Sequence, residues 1–420
     1  MKIQETVRHD GLRIISCYIP TQTKVLVSLS ALVGSAHDPV NKQGLFHLFE
    51  HMAFRGTKKR NATQIKDFLN RNVLNSNATT ARLQTEYWGT AITRKLHLLC
   101  DIITDIYAHS TFPTAGLKQE KSTVLLEAAR NRDDDTFTAY QTLRELLYSK
   151  SPLSQFTTGT EEGIKGVTRE HLLKEKEKWY VPSNTLAVAV GKVSHTAFVR
   201  EMSEHIPEKK IEIIKPVWDN ELDILPKINR REIDRGSRKK STIVMGCKIA
   251  DDVSDRLDII EGFMTSLLVS GWSSRLWNEV REKRGLAYTV SGGITRNRNL
   301  GAYFYVFVQT KPGKEKLVES LMRKAIFTPL SHKDKGIFED TKEAILDSID
   351  AGFGESLDRW YDIIFEKIMK EEPLSSIKRY FSEQRKIVKS ISLRDAEKMR
   401  KELMKPERFA TVILKPGKNT

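Results

Sequence analysis

Two histidines and a glutamate stand close together in His47-Leu48-Phe49-Glu50-His51, and their types and spacing suit metal-assisted hydrolysis. The surrounding stretch, Gly44 to Phe54, is apolar and helical in character. On a helix, positions i, i+3 and i+4 share one face. His47 and His51 can therefore hold one metal ion between them, with Glu50 beside it. Two neutral imidazoles suit Zn²⁺. A carboxylate next to the metal can take a proton from a water that the metal acidifies. The rival reading of these five residues alone is a pair of core histidines on a buried helix.

H-x-x-E-H reverses the H-E-x-x-H order of a familiar zinc-binding helix. Zinc needs a further protein ligand and an open position for water. The segment Leu117 to Arg130, also helical in pattern, offers Glu120 and Glu127, seven residues apart and so near one face after two turns. Glu127 is flanked by Leu125, Leu126 and Ala128, and a carboxylate in so apolar a setting asks for a compensating cation. Glu120 could stand behind the site and orient its ligands. Two solvated helix glutamates fit the same pattern equally well.

These side chains need a scaffold, and the hydrophobic pattern outlines it. Residues 10–36 read as two strands, notably Val25-Leu26-Val27-Ser28-Leu29. The candidate metal helix follows at about 43–55, and a second helix near 62–72 starts after the capping signal Asn61-Ala62-Thr63. Strands near 76–94 come next, then helices near 95–110, 114–132 and 136–150. A helix opening at Thr168, a buried strand at 186–191 and a helix at 195–206 close the first half. Residues 208–231 are polar, with Pro216 and Pro226, and read as a linker. The order then restarts, with a strand at 241–246, helices at 254–269 and 273–284 and strands across 286–308. Helices near 313–328, 334–350, 354–368 and 392–404 lead to a last strand at 409–414. The expected fold is α+β: two tandem domains of like topology, 1–207 and 232–420, joined by the linker. Only the first half contains H-x-x-E-H, so one metal ion per chain is expected.

Composition narrows the classes. At 420 residues and 39% hydrophobic content, the chain can bury two cores of about 200 residues each. No run of 18 apolar residues occurs, so no membrane span is expected. No basic segment followed by an apolar one opens the chain, so no signal peptide is expected either. Cys17, Cys100 and Cys247 lie far apart and form no C-x-x-C, which argues against a disulfide framework and a thiolate zinc site. A reducing cytoplasm fits best. The formal net charge of +15 is open to three explanations: nucleic acid, an acidic substrate, or a bias toward charged surfaces. Basic tracts such as Arg235 to Lys240 are short and no nucleic-acid-binding motif appears, so nucleic acid is not the expected partner.

Glu127 lies 76 residues after His51, and Glu120 seven before Glu127. With that spacing the chain resembles the inverzincin peptidases of the pitrilysin family, peptidase family M16. The likeness continues in Val33-Gly34-Ser35, in Asn77-Ala78-Thr79-Thr80 with Thr85-Glu86-Tyr87, in Gly159-Thr160-Glu161-Glu162 and in Tyr180-Val181-Pro182-Ser183-Asn184. In the second half, Val280 to Tyr288 is similar to the family's Arg/Tyr element, although an amphipathic helix ending at Gly285 would also explain Leu276 and Val280. The sequence departs from the family at Arg71 to Ser76, where a glycine pair is common, and at Asp38, near where a glutamate is often found.

The resemblance implies that His47, His51 and Glu127 bind Zn²⁺, that Glu50 is the general base and that Glu120 supports catalysis by orienting the ligands. It implies that Arg281 and Tyr288 meet the substrate carbonyl and the transition state. Asn77 and Ala78 would lie on the edge where substrate adds as a strand. It also implies a clamshell half-chamber built by the two domains, and pairing as a homodimer or a heterodimer with a homologous chain. The expected activity is that of a zinc endopeptidase on unfolded peptides or small polypeptides. The alternative is a non-catalytic partner subunit of a heterodimeric peptidase, against which the intact His47, Glu50, His51 and Glu127 argue.

Overall fold

The computed structural model describes residues 1–213, 218, 229–251, 254–297, 300–351 and 356–417. They divide into two compact units, each built on one sheet. The first sheet holds β1 (Lys2–Val7), β2 (Arg13–Tyr18), β3 (Lys24–Ala31), β4 (Asn75–Thr80), β5 (Thr85–Ile92) and β6 (Thr185–Gly191), in the order β1-β2-β6-β3-β5-β4. The apolar run Leu186-Ala187-Val188-Ala189-Val190 makes β6 buried along its whole length, as befits a central strand covered on both faces. β4, which reads Asn-Ser-Asn-Ala-Thr-Thr, forms the polar edge and pairs only with β5 among the described residues.

Between β3 and β4 lie α1 (Leu45–Ala53) and α2 (Ala62–Asn72). The α2 start is held by a reciprocal cap: Asn61 accepts from the Gln64 backbone N–H, and the Gln64 side chain accepts from that of Asn61. After β5 come α3 (Leu96–His109), α4 (Thr114–Asp133) and α5 (Asp135–Leu147).

The second sheet holds β7 (Arg230–Asp234), β8 (Ser241–Ile249), β9 (Ala287–Asn297), β10 (Gly301–Thr310) and β11 (Ala410–Lys415), in the order β7-β11-β8-β10-β9. β7 runs parallel to β11 as β2 runs parallel to β6, and the remaining pairs are antiparallel. Strand for strand this is the topology β2-β6-β3-β5-β4 of the first sheet. The fold is thus mixed helix and sheet in two tandem copies, as the restart of the pattern implied. Among the described residues no helix is long and apolar enough to cross a membrane.

The two units are not the contiguous blocks 1–207 and 232–420. α5 belongs to the second unit, where it lies on β8 and β11 and buries Ala139, Leu143 and Leu147. The helix Leu357–Met369 belongs to the first unit, where it lies on β3 and β6 and buries Trp360, Tyr361, Ile363, Ile364 and Ile368. The Tyr361 hydroxyl is 3.2 Å from Ser30 Oγ and 3.0 Å from Gln84 Nε2, which anchors this helix to the first sheet. Each sheet therefore takes a covering helix from the other half of the sequence. Periodicity shows that a helix has an apolar face and is silent on which sheet will bury it.

Two strands were also missed. β1 is polar, and β7 has four of its five residues exposed, so neither carries an alternation signal. β7 begins inside the segment expected to be a linker, because Arg230 and Arg231 pair with Thr411 and Val412. Residues 214–217 and 219–228 of that expected linker lie outside the described residues.

Candidate metal centre

α1 is aimed by its two ends and by its apolar side. Gly44 precedes it with φ 96°, a left-handed conformation natural to glycine, and a Cβ there would lie 2.7 Å from the Thr158 carbonyl oxygen. The Asp38 carboxylate accepts hydrogen bonds from the backbone N–H groups of Gly44 at 2.6 Å and Phe46 at 3.0 Å, satisfying donors that a helix start leaves open. Burial pushes the Asp38 carboxyl up to about 7, with the two amide donors working against it. Leu45, Phe46, Leu48, Phe49 and Met52 are buried. The Phe49 ring stacks on Tyr180 at 4.3 Å and meets Phe112 edge-on at 4.6 Å. With that side locked in the core, His47, Glu50 and His51 share the opposite one.

Glu127 reaches this group from α4. Its Oε1 is 3.7 Å from His47 Nε2 and its Oε2 is 3.6 Å from His51 Nε2. One donor atom from each of the three residues lies within 4.8 Å of the other two. Tetrahedral zinc with bonds of about 2.0–2.1 Å sets its donors about 3.3 Å apart, so a small contraction would close the set on the ion. The described residues hold one other such grouping, Glu201, Glu204 and His205 on one helix, where Arg200 already lies 3.3 Å from Glu201 and 3.9 Å from Glu204.

The protonation states also suit a metal. His47 is nearly buried, and burial pulls its imidazole down to about 4, against the pull of the Glu127 carboxylate. It is therefore neutral at pH 7, and its Nδ1 is buried without a hydrogen-bond partner among the described residues. The nearness of His51, and then of His47, when these imidazoles carry an extra proton, holds the Glu127 carboxyl below its ordinary value. Glu120, at 3% exposure, sits behind His51 with Oε2 2.9 Å from Nδ1, and its other oxygen pairs with the Arg55 guanidinium. A proton on Nδ1 donates to that carboxylate and leaves the Nε2 lone pair toward Glu127. His47, His51 and Glu127 thus fit a zinc ion in number, donor type and spacing.

Glu50 stands on the same face. Its Oε2 accepts a hydrogen bond of 2.7 Å from the Thr80 hydroxyl, and Thr80 is the last residue of the edge strand β4. Burial pushes the Glu50 carboxyl up, and the Thr80 hydrogen bond opposes it. Asn77 is exposed and Ala78 buried on that same strand.

Arg281 and Tyr288 lie in the second unit. The helix expected over 273–284 is α-helical only at Arg275–Trp277 and then widens to a π turn over Asn278–Glu282, with Lys283 N–H bonded to the Asn278 carbonyl at 3.0 Å. Arg281 donates from Nη1 to the Tyr288 carbonyl at 2.7 Å, and its guanidinium carbon lies 4.4 Å from the Trp277 ring and 5.0 Å from the Tyr288 ring. Trp277 in turn stacks on Trp272 at 6.4 Å. The structure therefore brings Arg281 and Tyr288 together and leaves the Tyr288 side chain exposed.

Asp38, Arg55 and Thr80 were not singled out as supports from sequence. Asp38 carried a faint signal, an acidic residue shortly before an apolar helix.

Comparison with known proteins bears on this site. Residues 13–161 match the family described as Insulinase (Peptidase family M16), and residues 166–342 match the family described as Peptidase M16 inactive domain. The chain belongs to peptidase family M16. Its second copy matches an inactive domain, in keeping with the absence of H-x-x-E-H there. Among curated relatives, this M16 chain is 27% identical over 322 residues to an uncharacterized zinc protease of Rickettsia bellii, covering 76% of each chain. It is 26% identical over 287 residues to the uncharacterized zinc protease YmxG of Bacillus subtilis, covering 67% of each. Among solved structures, a peptidase M16 inactive domain from Pseudomonas fluorescens superposes with a TM-score of 0.86 at 17% identity, over 100% of this chain and 99% of that one. A protease from Helicobacter pylori gives 0.85 at 18% identity, over 99% and 100%. These last two likenesses concern the fold.

Proposed function

We propose that this M16 chain is a zinc endopeptidase acting on unfolded peptides or small polypeptides. The observation that carries this reading is the convergence of His47, His51 and Glu127 on one point with Glu50 beside them. The names of the curated relatives, zinc proteases, support it. Zinc held by these three residues, one ion per chain, supplies Lewis acidity that lowers the pKa of a water and polarises a carbonyl.

The chain's own groups do the rest. Glu50 takes the proton of the attacking water on its carboxylate and returns it to the leaving amine. Burial raises its proton affinity toward the working pH, and the Thr80 hydroxyl holds its rotamer. Glu120 keeps the His51 proton on Nδ1. The substrate adds as a strand to the open edge of β4 beside Asn77 and Ala78, an edge tied to Glu50 through Thr80. Arg281 contacts a substrate carbonyl, and the exposed Tyr288 hydroxyl serves the developing oxyanion. Backbone pairing selects weakly by sequence. An enclosed chamber that selects by size, and pairing with a second homologous chain, are therefore part of this proposal. A cytoplasmic location is too, supported by three buried, unbridged cysteines.

The test is zinc content and hydrolysis of a quenched peptide, wild type beside Glu50→Gln. One zinc per chain in both, with cleavage lost only in the variant, is the expected result. A chain that takes up no zinc when supplied with it would overturn the assignment and favour the non-catalytic partner subunit.

A further inference from the structure

Three lysines gather at one end of the second sheet. There β8 begins at Ser241 just after Lys239 and Lys240, β10 ends at Thr310 just before Lys311, and β9 begins at Ala287. Antiparallel pairing of β10 with both neighbours brings these three ends together, with Gln309 opposite Thr242 and Thr289. They enclose a cleft of about 440 Å³ whose walls include Lys239, Lys240, Lys311, Tyr288, Thr289 and Gln309. None of its lining residues is acidic.

Carboxylates near in sequence have partners of their own: Glu282 accepts from the Trp277 indole N–H, and Asp234 from the Gly236 backbone N–H. Glu315 accepts from Ser241 Oγ and the Gly313 N–H, and Glu279 pairs with Lys283 and Arg284. Among the described residues, Lys240 reaches the neutral Gln309 amide oxygen, at 3.4 Å, and none of Lys239, Lys240 and Lys311 has a carboxylate partner. Three lysines line one small cleft, and a carboxylate entering it meets their positive charge, most strongly at low salt.

We propose that this cleft is the subsite for an acidic side chain of the peptide substrate, held by Lys239, Lys240 and Lys311 next to Tyr288. The proposal rests on the reading of Arg281 and Tyr288 as substrate contacts. It names what the cleft prefers among peptides. Nucleic acid would need an extended basic groove with open ring faces for stacking. Here the cleft is local, and the guanidinium of Arg281 covers a face of both Trp277 and Tyr288.

The experiment measures binding without turnover. The full-length, zinc-loaded Glu50→Gln chain is titrated with fluorescent peptides in which a single Glu, walked along the sequence, is paired with Gln at the same position. At one position the Glu peptide binds about tenfold tighter at low salt, as expected for one charge-assisted contact, and high salt shrinks the ratio. The double variant Lys239→Gln, Lys311→Gln brings the ratio close to one. Both lysines are exposed, so thermal melting of the variant should match that of its parent. Equal binding of Glu and Gln peptides at every position overturns the proposal, and so does a ratio that the lysine changes leave intact. A single-stranded oligonucleotide that displaces peptide more strongly than the acidic peptide does, and loses this with the lysines, overturns it too and makes the cleft a nucleic-acid site. Because no cleavage is read, a failure of the peptidase assignment shows separately, as wild type that binds these peptides and hydrolyses none.

Discussion

Replacing Glu120 by Gln keeps the side chain's volume and removes the charge behind His51. In the native chain Glu120 is 3% exposed and its two oxygens divide their work, one 2.9 Å from His51 Nδ1 and one on the Arg55 guanidinium. With Gln in place, the amide can accept from Nδ1–H or donate to a bare Nδ1, and the imidazole is free to carry its proton on Nε2, where the metal would bind. Loss of such an outer partner lowers metal affinity about 10–100-fold, which is about 1.4–2.8 kcal/mol. Breaking a fully buried pair costs about 3–5 kcal/mol, but the Arg55 side chain is 31% exposed and can turn to water, so the metal-free variant should lose less than that. The assay strips the metal and titrates zinc against a chromophoric chelator for wild type, Glu120→Gln and Glu120→Ala, with melting of the metal-free proteins alongside. Zinc dissociation constants within twofold of wild type for both variants would refute the role given to Glu120.

Other substitutions probe the remaining supports. Thr80→Val should retain zinc and lower kcat/KM about tenfold, the scale of one hydrogen bond to a charged group; loss of zinc in this variant would place Thr80 in folding instead. Gly44→Ala forces a Cβ into left-handed backbone 2.7 Å from the Thr158 carbonyl and should destabilise the chain by about 1–3 kcal/mol, read as a lower melting temperature; an unchanged melt would show that this turn yields easily. A fragment ending at residue 213 lacks the helix Leu357–Met369, whose five buried apolar side chains are Trp360, Tyr361, Ile363, Ile364 and Ile368 and which lies on the first sheet. That burial amounts to roughly 8–15 kcal/mol, as much as a whole domain's stability, so the fragment should aggregate or stay unfolded in gel filtration and circular dichroism. A monomeric fragment with a cooperative melt would contradict the exchange of helices.

Much of the architecture was legible because strands and helices imprint different periods on the chain. The strand beginning at Ser241, the strand Leu186 to Gly191 and the helices around the metal motif all appear at their expected places. The helix Tyr380–Ser390 was not expected either, and other misses share one cause: the signal lay in a partner, not in the segment. β1 and β7 are polar edge strands recognisable only through β2 and β11. The π turn at Asn278–Glu282 follows a regular apolar spacing, and only the Lys283 hydrogen bond to Asn278 reveals it.

The site divides along the same line. His47, Glu50 and His51 are four residues apart at most, so helix geometry alone puts them on one face, and sequence by itself determined that half of the centre. Resemblance pointed to Glu127, but the residues read alone left two solvated glutamates equally open. Tertiary structure brings Glu127 to the histidines, because only folding can carry a carboxylate across 76 residues of chain to within 3.7 Å of both. The cap that Asp38 places on α1, the Arg55 partner of Glu120 and the three-lysine cleft were decided there too. Hydrogen bonds and Coulomb forces act over a few ångströms in space, and nothing in the linear order of residues records which distant side chains folding will bring that close.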